Sequence, residues 1–455
     1  MFKRIHFIAI GGSVMHNLAL ALRKNGANVS GSDDEIYDPA KSKLKKAGIL
    51  PAKTGWDAFK ITQEIDAVIL GMHAKADNPE LIKAKELNLP IYSFPQFIYE
   101  QTANKKRVVI AGSHGKTSIT SMIMHVLNAV KMNFDYLVGA ELEGFENMVK
   151  IDDNNDVVII EGDEYLSSAL EPIPKFLFYK PNVALISGIE WDHINVFPTF
   201  KNYLSQFIKF GETIEENNGL LIYCADDEYV NKIGEDFKGS KVLYKTPTYE
   251  VANGTTTIIE GGKKHPLKIF GAHNMQNLMG AKAICNNLGI EDAVFWNHIS
   301  TFTGAAKRLQ LLAENNETSV FKDFAHAPSK VRATVKAVKE KNTDRKLIAC
   351  FELHTFSSFN RDFLLQYAKT MDPPEIGIIY YDPETPKRKN LPPLMRETIV
   401  RAFNRLELMV FTDINKLEKY LKKQDWSKTN LLMMSSGNFS GLNLQELANQ
   451  ITQTT

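Results

Sequence analysis

Residues 107–122 read RVVIAGSHGKTSITSM, an apolar, β-branched run that passes through a glycine loop into a helix. A strand feeding a helix in this way is buried on both faces and pairs in parallel, which commits its domain to an α/β architecture. The same alternation recurs along the chain. Ile5 to Ile10 reads as a first strand, and a helix follows from about Val14 to Asn25, stopped by Gly26. Ala27 to Ser32 reads as a second strand ending at Asp33, and Asp66–Gly71 and Pro90–Phe94 continue the series.

The pattern restarts twice. NKKR precedes the RVVIA strand, and SVFKDFAHAPSK opens a third series carrying KLIACFEL, EIGIIYY, LMVFTD and LLMMSSG. Three domains are expected, at 1–103, 104–311 and 312–455, in line with a chain of 455 residues at roughly 100–200 residues per domain. The fold class is α/β: a Rossmann-like N-terminal domain, a central P-loop domain with a mostly parallel sheet, and a Rossmann-like C-terminal domain.

Charge narrows the partners. Lys plus Arg is 54 and Asp plus Glu 53, a formal net charge of +1, which argues against a dedicated nucleic-acid binder. Cys224, Cys285 and Cys350 are isolated, so neither a disulfide framework nor a zinc ribbon is expected. No apolar run approaches the ~20 residues of a membrane span. The opening MFKRIHFIAIGGS is too short in its apolar part for a signal-peptide core. The expected location is cytoplasmic, with no membrane partner.

The loop Gly112, Ser113, His114, Gly115, Lys116, Thr117, Ser118 is the short form of a phosphate-binding loop, with Ile110 where the longer pattern has glycine. Its N–H groups and the helix N-terminus favour phosphate; Lys116 would reach the β/γ-phosphates and the Thr117 hydroxyl would ligate Mg²⁺. In DVVIIEGDEY, Glu161, Asp163 and Glu164 stand at a strand end, where ligands bind in parallel sheets. A carboxylate there suits Mg²⁺, and Glu161 is the expected ligand. In GIEWDHINVF, His193 again follows a strand; it is a structural histidine or a metal ligand whose tautomer Asp192 would fix.

FGAHNMQNLMGAKAI is a turn entering a helix, with His273, Asn274 and Asn277 at its mouth. Amide side chains there can read an adenine edge, and Asn274 can cap the helix; both can hold. Arg308 in KRLQ suits a phosphate clamp and Asp323 in FKDFAHAP a ribose hydroxyl, and either equally suits a domain-interface ion pair. His326 lies just beyond. At the N-terminus, Gly11, Gly12 and Ser13 after the first strand and Asp33 after the second imitate a dinucleotide site. Because G-x-G-x-x-G is absent, this region reads as a cradle for some diphosphate rather than as evidence for NAD.

GSHGKTS, EGDE, DHINVF, GAHNMQN, AKRL and DFAHAP, in this order, resemble the Mur ligases of peptidoglycan synthesis over essentially the whole chain. The resemblance implies an ADP-forming ligase that uses ATP and Mg²⁺ and acts through an acyl phosphate. Lys116, Glu161 and His193 would be catalytic, with Thr117, Glu161 and His193 on the metal. ATP would lie on residues 112–118, His273, Asn274, Arg308 and Asp323. Gly11, Gly12, Ser13, Asp33 and His73 would lie near a UDP sugar, making the N-terminal domain a UDP-binding one, and His326 and His354 would lie on the substrate side.

Within the family the chain is most similar to members that load UDP-N-acetylmuramate with an amino acid, L-alanine, or with the tripeptide L-alanyl-γ-D-glutamyl-meso-diaminopimelate. GSDDEIYDPAKSKLKKAGI, DEY with KFLFYKP, DFAHAP and SSGNFSGL lean to the tripeptide and murein recycling. Against them, FELHTFSS replaces an E-P-R-S-N-like segment, with Leu353 and His354 in place of Pro and Arg. Arg361, Lys330 and Arg332 are the candidate cations for a peptide carboxylate. Rival readings are a nicotinamide-dependent oxidoreductase, a nucleotide-gated binding protein without ligation, and a folylpolyglutamate-type ligase, which would lack the UDP-like domain.

Overall fold

The computed structural model describes residues 2–453 except 73, 141, 143, 169, 306 and 307. The chain divides into two compact units. One comprises Met1–Ile189, Phe200–Tyr244 and Gly280–Ile290, the other Glu190–Thr199, Lys245–Met279 and Glu291–Thr455.

The first unit holds two sheets. β1 (Arg4–Ile8), β2 (Asn28–Ser32), β3 (Ala67–Leu70) and β4 (Ile91–Ser93) form an all-parallel sheet in the order β2-β1-β3-β4. β1 ends two residues before the expected Ile10, because the chain turns at Ala9, whose φ of 67° is left-handed. The helix after it spans Ser13–Lys24 and is stopped at Gly26, φ 89°.

The second sheet contains β5 (Lys106–Ala111), β6 (Asp135–Leu137), β7 (Val149–Lys150), β8 (Val157–Glu161), β9 (Val183–Ile186), β10 (Leu220–Cys224) and β11 (Lys241–Tyr244). Its order is β11-β10-β9-β5-β8-β6-β7, antiparallel only at β6/β7. β5 is central, and Val108 to Ala111 are wholly buried, as a strand covered on both faces requires. β8 and β9 flank it in parallel, with Ile110 opposite Glu161 and Ala111 opposite Ile186. The loops after these three strands therefore leave the same edge.

In the second unit, β12 (Tyr249–Ala252), β13 (Thr255–Glu260) and β14 (Lys263–Leu267) make a small antiparallel sheet. β15 (Gln310–Glu314), β16 (Ser319–Asp323), β17 (Lys346–Glu352), β18 (Ile376–Tyr380), β19 (Met409–Phe411) and β20 (Thr429–Met434) make the other, in the order β15-β16-β20-β17-β18-β19. All of its pairs are parallel except β15/β16. The expected boundary at 311 falls inside β15.

Alternation along these strands sorts side chains onto two faces. Phe321, Ala349, Phe351, Ile379, Leu432 and Met434 pack against Val331, Val335 and Val338 of helix Pro328–Lys341 and against Ile399 and Phe403 of helix Arg396–Phe403. Val320, Ile348, Cys350, Ile378, Leu431 and Met433 pack against Leu417 and Leu421 of helix Ile414–Lys422 and Ile451 of helix Leu444–Gln453. Helices following β16 and β18 thus cover one face, and those following β19 and β20 the other. The carboxyl end of β20, between β16 and β17, is a topological switch point, the place in such sheets where a crevice opens.

Candidate active site

Gly112 and Gly115 shape the loop after β5. Gly112 has φ 135°, and a Cβ there would fall 2.1 Å from Ser187 Oγ; Gly115 has φ 79° and caps helix Lys116–Ala129. Neither position accepts another residue without strain. The loop is tied to the turn after β9: Ser113 N donates to Gly188 O (2.9 Å), Ser187 Oγ donates to His114 O, and the His114 ring lies against Gly188. The Ser187–Gly188 turn escaped the sequence reading; a glycine directly after the VALIS strand was its only signal.

Lys116 opens the helix one residue before the expected start at Thr117. Its Nζ is 2.6 Å from Glu164 Oε2 and 2.5 Å from Gly112 O. Glu164 is buried, and its other oxygen accepts from the Tyr203 hydroxyl at 2.9 Å. Burial opposes the Lys116 charge, yet Glu164, Asp163 and Glu161 together hold its pKa above the ordinary lysine value. Lys116 is therefore a permanent cation in a nest of carboxylates. Asp163 pairs with Lys175 at 2.6 Å.

Thr117 Oγ1 donates to Glu161 Oε1 at 2.8 Å, and Gly139 N donates to Glu161 Oε2 at 3.0 Å. Adjacent oxygens of an octahedral Mg²⁺ lie about 2.9 Å apart, given bonds of roughly 2.0–2.1 Å. The two oxygens fit that ion. Among the described residues no group of three or more His, Cys, Asp or Glu gathers as a metal cage. Ser118 is half-buried on the first turn of the same helix.

At the end of β1, Gly11 N donates to Asp33 Oδ2 at 2.7 Å. The two expected residues meet, and a Cβ on Gly11 would fall 2.9 Å from that oxygen. Burial pushes the Asp33 carboxyl up, against N–H donors from Gly11, Asp34 and Glu35. Gly12 precedes the helix and Ser13 opens it, with Ser13 Oγ 4.0 Å from Met148 Sδ. His73 lies outside the described residues.

In the second unit, His193 has φ 55° and donates its backbone N–H to Asp192 Oδ1 at 2.8 Å. Asp192 Oδ2 faces Lys330 Nζ at 3.3 Å and His326 Nε2 at 3.7 Å. Burial works against the Asp192 charge, but Lys330 and the two histidines hold its pKa well below the usual carboxylate range. The sequence reading gave Asp192 only a tautomer-fixing role; the structure makes it the centre of a three-residue cluster. It also pairs Lys330, a candidate cation for the peptide, with Asp192. Arg361 and Arg332 are exposed.

His273 and Asn274 lie in the first turn of helix Ala272–Asn287. The capping alternative for Asn274 is corrected: it sits inside the helix, and its Nδ2 donates back to Phe270 O at 2.9 Å. Asn277 is buried one turn further. Burial lowers the His273 pKa, against the pull of Asp323. Asp323 accepts from Leu309 N (2.6 Å), Ala325 N (2.7 Å) and Thr334 Oγ1 (3.3 Å), so its carboxylate braces the turn after β16. Arg308 stacks over Phe324 at 4.8 Å. His354 follows β17, half-exposed, with Nδ1 4.0 Å from Glu352 Oε1.

Comparison with known proteins shows the family. The family model "Mur ligase middle domain" matches residues 110–285, and "Mur ligase family, catalytic domain" matches residues 4–106. The UDP-N-acetylmuramate–L-alanine ligase of Ruthia magnifica subsp. Calyptogena magnifica is 30% identical over 405 residues, covering 83% of this chain and 82% of that protein. The ligase of the same name from Alkaliphilus metalliredigens (strain QYMF) is 32% identical over 383 residues, covering 81% and 80%.

Among solved structures, the murein peptide ligase Mpl of Psychrobacter arcticus 273-4 has a TM-score of 0.64 at 24% identity, covering 99% of each chain. The UDP-N-acetylmuramate–alanine ligase of Thermotoga maritima has a TM-score of 0.71 at 21% identity, covering 100% of each. These two likenesses concern the fold. No described helix is long and apolar enough to cross a membrane. Two Mur ligase domain models and homology across four-fifths of the chain lead to one conclusion: this chain belongs to the Mur ligase family, the ATP-dependent ligases of peptidoglycan synthesis.

Proposed function

We propose that the protein joins the amine of a peptide headed by L-alanine to the lactyl carboxylate of UDP-N-acetylmuramate, at the expense of ATP. The observation carrying the ligase chemistry is that Lys116 and Thr117, at the start of the helix after β5, meet carboxylates at the end of β8: Glu164 on Lys116 and Glu161 on Thr117. A carboxylate must approach a triphosphate, so the site needs fixed positive charge and in-line placement. Lys116 supplies the charge, and the N–H groups of residues 112–117 hold the phosphates. ATP displaces Lys116 from Glu164 onto its own oxygens, and Tyr203 keeps Glu164 in place. Thr117, Glu161 and His193 would hold Mg²⁺, which would supply charge neutralisation when bound. The carboxylate takes the γ-phosphoryl group, the amine attacks the acyl carbon, and phosphate leaves.

His273, Asn274, Arg308 and Asp323 serve ATP in this reading. Gly11, Gly12, Ser13, Asp33 and His73 serve the UDP sugar, with His326 and His354 toward the acceptor and the amine. Domains at 1–103, 104–311 and 312–455 and a cytoplasmic location belong to the same proposal.

The tripeptide is favoured by DEIYDPAKSKL, DEY with KFLFYKP, and SSGNFSGL. Free L-alanine is the second reading, favoured by the names of the curated relatives. Phosphate release with UDP-N-acetylmuramate and either amine, side by side, tests both. Higher kcat/KM for the tripeptide supports the first reading, and higher kcat/KM for alanine replaces it with the second. Activity with neither removes both.

A further inference from the structure

At the switch point of the six-stranded sheet, the loops after β17 and β20 meet around one carboxylate. Glu352, the last residue of β17, is 3% exposed. Its Oε2 accepts from the Ser435 hydroxyl and from Phe439 N (2.9 Å). Ser435 Oγ in turn accepts from Gly437 N at 2.6 Å. These bonds fix the carboxylate and leave Oε1 toward His354 Nδ1, 4.0 Å away, on a ring 39% exposed. Two residues apart on extended chain, the side chains share a face.

Gly437 closes the arrangement: a Cβ there would fall 2.7 Å from His354 Nδ1 and 2.9 Å from Glu352 Oε2. The backbone approaches the ring as only glycine allows. Phe439, Ser440 and Gly441 follow with φ of 50°, 50° and 87°, so the loop holds its shape through strained residues. Beside it, the Ser436 hydroxyl is buried with no hydrogen-bond partner. A buried acid behind a solvent-reaching imidazole at a strand end is the layout of a base and its orienting group, and such contacts tighten when substrate arrives.

Resting on the ligase reading above, we propose that His354 takes the proton from the incoming amine and that Glu352 is the positioning residue that orients its ring. The ammonium gives one proton to His354 Nε2, and Glu352 offsets the imidazolium charge. The freed lone pair forms the C–N bond to the acyl carbon. The C–O bond to phosphate breaks with its electrons on phosphate, which carries off the second proton. Facing groups bear on the titration. The loop after β20 contributes Ser435, Ser436 and Gly437, none of which titrates. β18 contributes Tyr380, whose phenol is held up by burial and by the charges of Asp382, Glu352 and Asp413.

The test uses the full-length enzyme, ATP, UDP-N-acetylmuramate and the tripeptide or L-alanine, with hydroxylamine as a second nucleophile. Hydroxylamine is neutral near pH 7 and captures an acyl phosphate without a base. His354→Gln should lower kcat with the amine by about 10²-fold, the scale of general-base catalysis. Hydroxamate formation should stay within threefold of wild type, and the acid limb of the kcat–pH profile should vanish. Glu352→Gln, which keeps the accepting oxygen, should lower kcat about tenfold and shift that limb to lower pH.

Equal loss of amide and hydroxamate in both variants would mean a structural role and overturn the proposal, as would amine turnover within threefold of wild type. A wild-type enzyme that forms hydroxamate but ligates neither amine overturns the assigned amine. One that forms no hydroxamate overturns the ligase reading itself.

Discussion

Lys116 Nζ lies 2.6 Å from Glu164 Oε2, and the carboxylate it touches is buried. In the proposed mechanism Lys116, held by an acid just beyond the end of β8, exchanges that partner for phosphate oxygens. One pair links the stability of the site to its chemistry, and the two effects can be measured apart.

Lys116→Ala should lower turnover by about 10³-fold or more, on the order of 4 kcal/mol of transition-state stabilisation. It also strands Glu164, and removing one partner of a buried pair costs about 3–5 kcal/mol. Adding Glu164→Gln should recover much of the melting temperature and none of the activity. Phosphate release and thermal unfolding on both variants check this; near wild-type turnover in Lys116→Ala would defeat the assignment.

His193→Ala should raise the Mg²⁺ concentration for half-maximal rate by roughly ten- to a hundredfold, the scale seen when metal-site contacts are lost. Thr117→Ala should do the same, because its hydroxyl sits 2.8 Å from Glu161. Rate measured against Mg²⁺ decides. An unchanged Mg²⁺ curve with a flattened pH profile in His193→Ala would make that histidine a base instead.

Away from the site, Lys105 Nζ lies 2.5 Å from Asp135 Oδ2, both buried, and Asp135 also accepts from Asn155 at 2.7 Å. Lys105→Met leaves that acid uncompensated and should cost about 3–5 kcal/mol in urea unfolding. Lys24, paired with Glu146 on the surface, should cost under about 1 kcal/mol when changed to Met.

His273 supplies a pH dependence. Burial lowers its folded-state pKa below the ordinary 6.5, so it stays neutral where the unfolded chain begins to take up a proton. The unfolded state then binds more protons, and stability falls as pH drops from about 6.5 toward the lower folded value. His273→Gln should flatten that part of the stability–pH curve measured by urea titration, while leaving stability at pH 8 nearly unchanged in its pH slope.

The sequence by itself determined the alternation of strand and helix and the loop residues 112–118. Those signals are local: β-branched runs mark buried strands, and glycines mark turns that no other residue makes. It placed Glu161 and Asp33 at strand ends for the same reason. Tertiary structure decided everything that depends on which strands are neighbours. β5 lies between β8 and β9, which brings Lys116 to Glu164, forty-eight residues on, and Ser113 to Gly188. β20 inserts between β16 and β17, which sets Ser435 against Glu352, eighty-three residues away. Asn274 read as a cap and as a site residue together, until the helix start at Ala272 put it inside the first turn and removed the cap. Strand order and hydrogen-bond partners are non-local: they follow from which apolar faces bury each other, and no short stretch of chain carries that information.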